Sequence, residues 1–164
     1  MNQRRLILMR HAKSSWDSGA ATDHARPLNK RGRRDAPRIA RELSSLGWVP
    51  DLVVSSDSQR TRETWGSMAE EFGEDIEVRF RPEFFHAGLG ELQHSADSWP
   101  ETATTVLVLG HNPGWENALG TLAGEWCGMT TANAALLIGE GSSWADALER
   151  PWAMEQILRP RELT

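Results

Sequence analysis

The chain has 164 residues, of which 39% are hydrophobic and 25% charged, and these values predict one globular domain over residues 1–164. No apolar run approaches the roughly 20 residues of a membrane span, and the run after the basic N-terminus is too short for a signal peptide. We therefore expect a cytoplasmic protein that does not bind membranes. Cys127 is the only cysteine, which excludes a disulfide framework and a thiolate zinc cluster.

The net charge of −5 is unevenly distributed along the chain. Residues 1–62 carry 13 Lys and Arg against 6 Asp and Glu, whereas residues 63–164 carry 5 against 17. A basic half in an acidic protein is typical of a local anion site. Because the chain is acidic overall and has no interleaved aromatic platform, we do not expect it to bind nucleic acid.

The first predicted element is a buried strand, Leu6–Met9, which runs directly into Arg10, His11, Lys13 and Ser14. In an open α/β sheet, ligands bind beyond the carboxyl ends of the strands. This segment would bring one imidazole, cations and a hydroxyl there, a combination that suits a doubly charged anion such as a phosphoryl group. The alternative is a surface loop that is basic by chance.

A loop over residues 12–32 follows, and its Trp16 lies close enough to the first strand to form a wall of a pocket. Asn29 is a plausible N-cap for the next helix, and Gly47 a plausible C′ residue at its end. Pro37 within this helix predicts a kink or a late start. The apolar residues at helical spacing are Ala36, Ile39, Ala40, Leu43 and Leu46.

A second buried strand is predicted at Asp51–Val54, followed by a helix that Asp57 would cap. Arg60 and Arg62 fall in the first turns of this helix, where cations oppose the macrodipole, and a bound anion would give them a use. The alternative is that one of them pairs with Glu63 or another carboxylate. The apolar stripe of the helix is Trp65, Met68, Ala69 and Phe72.

The middle of the chain predicts two more strands. Ile76–Phe80 alternates and reads as a half-exposed strand, and residues 89–99 form a short helix. Thr104–Leu109 is apolar on both faces, as a central parallel strand should be, and it ends close to His111.

The last third of the chain begins with a helix-start pattern, Asn112 as N-cap and Pro113 at the first helical position. The buried stripe of that helix is Trp115, Ala118, Leu119 and Leu122. Residues 133–139 and 152–158 predict two final strands, and the chain from Arg159 onward is expected to be a frayed tail.

Polar chemistry is concentrated at the strand-to-helix junctions, which meet at one edge of a parallel sheet if the strands are neighbours. Arginines bind phosphate oxygens bidentately and keep their charge. A neutral His11 could then attack phosphorus through Nε2, provided that a backbone carbonyl holds Nδ1–H. His111 could donate to the equatorial oxygens in the transition state, where positioning and electrostatics dominate catalysis.

These residues resemble the histidine phosphatase superfamily, also called the phosphoglycerate mutase-like family, and most closely its small SixA-type phosphohistidine phosphatases. The family's Arg-His-Gly signature stands here as Arg10-His11-Ala12. The segment 23–32 is similar to a loop and helix start of this branch. Two further motifs, paired serines followed by Arg and Thr, and a strand ending in His with Pro shortly after, match Ser55, Ser56, Arg60 and Thr64, and then His111 and Pro113.

The resemblance implies an α/β fold, a three-layer α/β/α sandwich with a mostly parallel central sheet, and no metal or other cofactor. It implies His11 as the phosphorylated nucleophile. The phosphate pocket would be completed by Arg10, Arg60 and His111, and Thr64 sets the register that favours Arg60 over Arg62. We add Ser14 and Arg26 as candidate substrate-binding residues.

Larger members of the family use an acidic residue to protonate the leaving group, and Glu83 is the candidate here, unless it is an ordinary surface carboxylate. An alkoxide must be protonated as it leaves, whereas imidazole leaves more readily. A site without an acid therefore favours phosphohistidine or aryl phosphates. We predict a metal-independent phosphatase that acts on phosphohistidine in proteins through a covalent phosphohistidine on His11, as a monomer or weak dimer.

Other readings remain open from the sequence. The chain could be a phosphomonoesterase or mutase-like enzyme acting on a small phosphorylated metabolite, or a non-catalytic phosphate-binding module. A metal hydrolase is less favoured because no HxxxH or comparable ligand spacing occurs.

Overall fold

The fold of residues 2–163, described here from a computed structural model, is built around one six-stranded sheet. Its strands are β1 (Asn2–Arg10), β2 (Leu52–Ser56), β3 (Glu77–Arg81), β4 (Thr105–Gly110), β5 (Ala134–Gly141) and β6 (Ala153–Leu158). The helices are α1 (Lys30–Ser45), α2 (Gln59–Met68), α3 (Leu89–Ala96), α4 (Gly114–Ala123) and α5 (Trp144–Ala147). No helix within residues 2–163 is long and apolar enough to cross a bilayer.

The sheet order is β3-β2-β4-β1-β5-β6. The pairs β3–β2, β2–β4 and β4–β1 are parallel, whereas β5 runs antiparallel to both β1 and β6. This confirms the predicted α/β class with a mostly parallel central sheet.

Helices cover both faces of the sheet because the central strands are apolar on both sides. Along β1, Leu6 and Leu8 face a core that includes α3, α4 and α5, whereas Ile7 and Met9 face a core that includes α1 and α2. All four side chains are fully buried. The alternation follows from the two-residue repeat of a strand and gives the predicted three layers.

Helix α1 begins and ends as its sequence predicts. The Asn29 side chain accepts a hydrogen bond from the Gly32 backbone N–H at 2.9 Å. At the other end Gly47 has φ 78°, the left-handed conformation that favours glycine at C′. Pro37 lies within the helix and does not delay its start, so that alternative was wrong.

The predicted N-cap of α2 is wrong by one residue. Ser58, not Asp57, caps the helix, and its side chain accepts from the Thr61 backbone N–H. Asp57 accepts a hydrogen bond from His24 Nε2 at 2.8 Å instead. Both Asp and Ser are good N-caps, so their identities alone could not decide between neighbouring positions.

The N-cap position of α4 is also displaced by one residue, from Asn112 to Pro113. The Asn112 side-chain amide does not cap the helix, because it donates to the Met129 carbonyl at 2.8 Å. Asn112 therefore binds the segment around Met129, and α4 starts at Gly114.

The C-terminal segment is not frayed, so that expectation was wrong. Pro160–Glu162 forms a 3₁₀ turn, and Arg159 donates to the Asn133 side-chain oxygen at 2.6 Å. Arg38 on α1 donates to the Leu163 carbonyl at 2.7 Å. Thr164 lies outside the described residues.

Gly32 allows α1 to approach the loop after β1. A Cβ at this position would lie 2.1 Å from the Lys13 carbonyl oxygen, which is backbone and has little room to move. We expect Gly32→Ala to lower the free energy of unfolding by roughly 1–3 kcal/mol through overpacking. Urea denaturation measures this change.

Gly66 on α2 provides the matched control, because a Cβ built there has no atom within 4 Å beyond the adjacent residues and the backbone of its own helix. Gly66→Ala should raise stability by about 0.5–1 kcal/mol, since alanine is the better helix former. Equal effects of the two substitutions would contradict the close approach at Gly32.

Candidate active site

The carboxyl ends of β1, β4 and β2 lie side by side, and the residues that follow them share one cleft of about 260 Å³. His11 follows β1, His111 follows β4, and Arg60 lies in the first turn of α2. The strands predicted to be neighbours are therefore neighbours. The cleft is lined by Arg10, His11, Lys13, Ser14, Trp16, Asp23, Arg26, Arg60, His111, Asn112 and Thr131.

The His11 ring is buried and its orientation is fixed by the backbone. Nδ1 lies 2.7 Å from the Ala12 carbonyl oxygen, so Nδ1 carries the proton and donates it. Nε2 is left with its lone pair, and the Arg60 Nε–H points to it at 3.4 Å. This is the tautomer that a nucleophilic Nε2 requires.

Burial lowers the pKa of His11 from 6.5 to about 3. The hydrogen bond to Ala12 opposes this effect, whereas the positive charges of Arg60 and Arg10 add to it. His11 is therefore neutral at physiological pH.

His111 faces the same cleft, and its ring centroid lies 5.2 Å from that of His11. Burial, with the nearby His11 and Arg60, lowers the pKa of His111 to about 3. Its Nε2 lies 2.9 Å from the Ser56 hydroxyl, which also accepts from the Ser58 backbone N–H at 3.3 Å. The Ser56 hydroxyl can donate to His111 Nε2, the arrangement in which the ring proton is on Nδ1. That Nδ1 is buried and has no hydrogen-bond partner among the described residues.

Arg60 is held against the nucleophile by Asp23 and Thr64. Its terminal nitrogens donate to the Asp23 carbonyl at 2.8 Å and to the Asp23 carboxylate at 3.2 Å. The Thr64 hydroxyl donates to the Arg60 carbonyl at 2.7 Å and accepts from the Ala12 N–H at 3.0 Å. Thr64 therefore joins the segment of Arg60 to that of His11.

Arg62 does not line the cleft, in contrast to Arg60. Its Nε donates to the Asp57 carbonyl at 2.8 Å, and its guanidinium lies 4.2 Å from the centroid of the Phe80 ring. The structure thus places at the cleft the arginine that the Thr64 register favours.

Ser14 and Arg26 both line the cleft, and Ser14 is buried there. Arg26 donates to the Ser14 hydroxyl at 2.8 Å and to the Asp23 carboxylate at 2.8 Å. Partial burial raises the pKa of Asp23, but hydrogen bonds and charge from Arg26 and Arg60 outweigh it and hold that pKa below its ordinary value. Asp23 is therefore an ionised clamp between two arginines, not a proton donor.

Arg10 is a further cation that lines the cleft. It donates to the Met129 carbonyl at 3.0 Å, and its buried Nε has no hydrogen-bond partner among the described residues. Burial lowers the pKa of Arg10, an effect that the charge of Glu116 opposes. Unpaired buried donors are costly, and the phosphoryl oxygens of a ligand are suitable acceptors for them.

Glu83, the candidate proton donor, is exposed in the 3₁₀ turn Pro82–Phe84 and does not line the cleft. The same loop instead reaches the site through Phe85, whose ring meets that of His111 edge-on at 5.2 Å. Sequence reasoning missed Asp23 as the clamp of Arg60 and Ser56 as the partner of His111. Both stand in motifs quoted above, but their contacts depend on the folded chain.

Within residues 2–163, no group of three or more His, Cys, Asp or Glu side chains is placed to hold a metal ion. The described cleft contains two neutral imidazoles among arginines.

Comparison with known proteins adds to this geometry. The family model described as "Histidine phosphatase superfamily (branch 1)" matches residues 6–125. An uncharacterized chloroplastic protein of Arabidopsis thaliana is 44% identical over 171 residues, which cover 96% of this chain and 78% of that protein.

Two solved structures that carry the provisional name phosphohistidine phosphatase SixA have the same fold. The protein from Nakamurella multipartitia superposes with a TM-score of 0.82 at 28% identity, covering 98% of both chains. The protein from Agrobacterium tumefaciens gives 0.82 at 26%, covering 98% of this chain and 100% of the other.

The lowered pKa of His11 makes stability depend on pH. In the unfolded chain the ring binds a proton below about 6.5, whereas the folded ring stays neutral down to about 3. Stability should therefore fall as the pH decreases through this window, by about 1.4 kcal/mol per pH unit for this group.

His11→Gln removes this contribution, so the variant should lose about 2 kcal/mol less stability than the wild type between pH 7 and pH 5. Urea denaturation at the two pH values, in buffers free of phosphate and other oxyanions, measures the difference. His94→Gln, at an exposed position on α3, is the control for loss of a histidine. Equal pH dependence of wild type and His11→Gln would show that His11 titrates normally.

Proposed function

Because this chain belongs to branch 1 of the histidine phosphatase superfamily, we propose that it is a phosphatase that hydrolyses phosphohistidine in proteins through a phosphoryl group carried on His11. The observation that carries the proposal is the state of the His11 ring. It is neutral, its Nδ1–H is held by the Ala12 carbonyl, and its Nε2 lies in a cleft lined by arginines.

In the first step the lone pair of His11 Nε2 attacks phosphorus as the bond from phosphorus to the leaving nitrogen breaks. The electron pair of that bond goes to the leaving imidazole, which departs neutral when its other nitrogen carries a proton. His11 becomes a cationic phosphoimidazole whose Nδ1–H still donates to Ala12. Arg10, Arg60 and His111 Nδ1–H bind the phosphoryl oxygens while charge redistributes over them.

In the second step a water oxygen attacks phosphorus and the P–Nε2 bond breaks. The electron pair returns to Nε2, so His11 is again neutral, and the water protons remain with the phosphate product and solvent. No residue of the protein is consumed. Neither of these two steps requires a metal ion, and we propose that turnover proceeds without one.

Two features of the cleft support phosphohistidine as the substrate. Asp23 is ionised between two arginines and Glu83 lies outside the cleft, so no carboxylic acid is poised to protonate an alkoxide. The volume of about 260 Å³ also lies below the roughly 300–1,000 Å³ typical of small-molecule sites. Such a cleft suits a phosphoryl group attached to a small ring. The rest of a phosphorylated protein would then remain outside the cleft.

The proposal is tested by comparing turnover of a phosphohistidine peptide with that of alkyl phosphates. We expect the peptide to react far faster, because imidazole leaves without an acid whereas an alkoxide does not. Labelled phosphate should be trapped on the wild type and not on His11→Ala, and chelation by EDTA should leave the rate unchanged.

Three outcomes would contradict parts of this proposal. Comparable rates with alkyl phosphates would point to a small phosphomonoester as substrate. Turnover by His11→Ala would remove His11 from the chemistry, and the absence of both turnover and phosphoenzyme would favour a phosphate-binding module.

Arg60 and Arg62 provide a matched pair for the electrostatic part of the mechanism. Arg60→Ala removes a guanidinium from the cleft and should lower kcat/KM by roughly 100-fold or more, with weaker inhibition by tungstate. Arg62→Ala, two residues along the same helix, should stay close to the wild type. The reverse order would show that the register of the site is displaced.

A further inference from the structure

Trp16 lies in the cleft, yet the proposed mechanism does not use it. The side chain is 74% exposed, an unusual state for an indole, and it lines the same cleft as His11 and Arg60. Trp126 is similarly exposed, at 70%, but is not among the residues that line the cleft. An exposed aromatic at the mouth of a site is more informative than one elsewhere on the surface, because ligand binding can bury it.

Trp16 is held in place from one side by Arg26. The guanidinium carbon lies 3.6 Å from the centroid of the Trp16 ring, in cation–π contact. Arg26 itself is fixed by hydrogen bonds to the Ser14 hydroxyl, the Ser15 carbonyl and the Asp23 carboxylate. The indole is thus positioned before a ligand arrives, and little entropy is lost on binding.

The backbone just before Trp16 is also anchored. Ser14 forms an isolated antiparallel bridge with Leu28, and the Ser15 N–H donates to the Pro27 carbonyl at 2.8 Å. Because Arg26 covers one face of the indole and most of the side chain is exposed, the opposite face is accessible to a ligand. Trp16 lines the same cleft as His11, in which the leaving group of a phosphoryl compound must sit, so that group can reach the indole.

We infer that Trp16 is a specificity-determining residue that stacks on a planar aromatic leaving group, the imidazole ring of phosphohistidine. This inference rests on the proposed function and deepens it, because it gives a positive reason for selecting a ring in addition to the absence of an acid. Arg60 and His11 hold the phosphoryl group, whereas Trp16 recognises what is attached to it.

The test uses two phosphonates whose C–P bond is not hydrolysed, so that binding is measured without turnover. Calorimetry should show that phenylphosphonate binds the wild type roughly 3- to 10-fold more tightly than methylphosphonate, the range expected for one aromatic pair. Trp16→Ala should abolish this preference and leave methylphosphonate binding unchanged. Trp126→Ala should keep the wild-type preference, and Trp16→Phe should restore most of it.

Substrates with a P–N bond extend the test to turnover. Phosphoimidazole carries a ring and phosphoramidate does not, so Trp16→Ala should lower kcat/KM for the first and spare the second. Trp16→Leu separates stacking from simple apolar contact, because it should behave like Trp16→Ala.

The inference would be overturned if Trp16→Ala kept the preference for phenylphosphonate, or if Trp16→Leu matched the wild type. Failure of the proposed function has a different signature. In that case no phosphoenzyme forms and neither P–N substrate turns over, whichever residue occupies position 16.

Discussion

A single backbone hydrogen bond, from His11 Nδ1–H to the Ala12 carbonyl, sets the tautomer of His11, on which the proposed reaction depends. Without it the neutral imidazole could carry its proton on Nε2, which would leave no lone pair there to face the cleft. The bond costs no extra residue because Ala12 is the next residue in the chain. In the proposed reaction Nδ1–H keeps this partner when Nε2 carries the phosphoryl group, so the same contact serves both steps.

Keeping that ring neutral among arginines is the main electrostatic demand on the fold. Burial does most of this, and the surrounding positive charge makes a protonated ring still less favourable. The same arginines repel one another, so Asp23 is needed between Arg26 and Arg60 to hold both in place. Because Asp23 pairs with both arginines, its carboxylate stays ionised. Asp23 therefore cannot serve as a proton donor in the cleft.

The sequence predicted the parts of the fold that depend on local pattern. Hydrophobic runs located all six strands, and the N-cap at Asn29 and the C′ residue Gly47 follow from the intrinsic preferences of Asn and Gly. The errors lie where two neighbouring residues are equally suitable, as with Asp57 and Ser58, or where a tertiary contact decides, as with the ordered segment after Arg159.

The sequence predicted those site residues whose positions are set by the ends of neighbouring strands. His11 and His111 follow adjacent parallel strands, and Arg60 stands in a motif with Thr64, so their convergence follows from topology. Glu83 was inferred from its place in the chain, and position in the chain does not decide which way a short 3₁₀ turn presents a side chain. Asp23 was missed as a clamp because its contacts join the loop after β1 to α2 across a long stretch of sequence.

The histidines at the strand ends and the residues of the loop after β1 differ in how easily they can be substituted without loss of the fold. His11 and His111 directly follow buried strands of the central sheet, so the sheet fixes their positions. Trp16 and Arg26 lie in a surface loop tied down by a few hydrogen bonds, and loops tolerate replacement more easily than strands. In the proposed reaction, selection of the leaving group can therefore vary through Trp16, whereas Asp23 in the same loop is tied to Arg60. The proposed roles thus assign the phosphoryl group to residues at the strand ends and on α2, and the leaving group to a residue of the loop after β1.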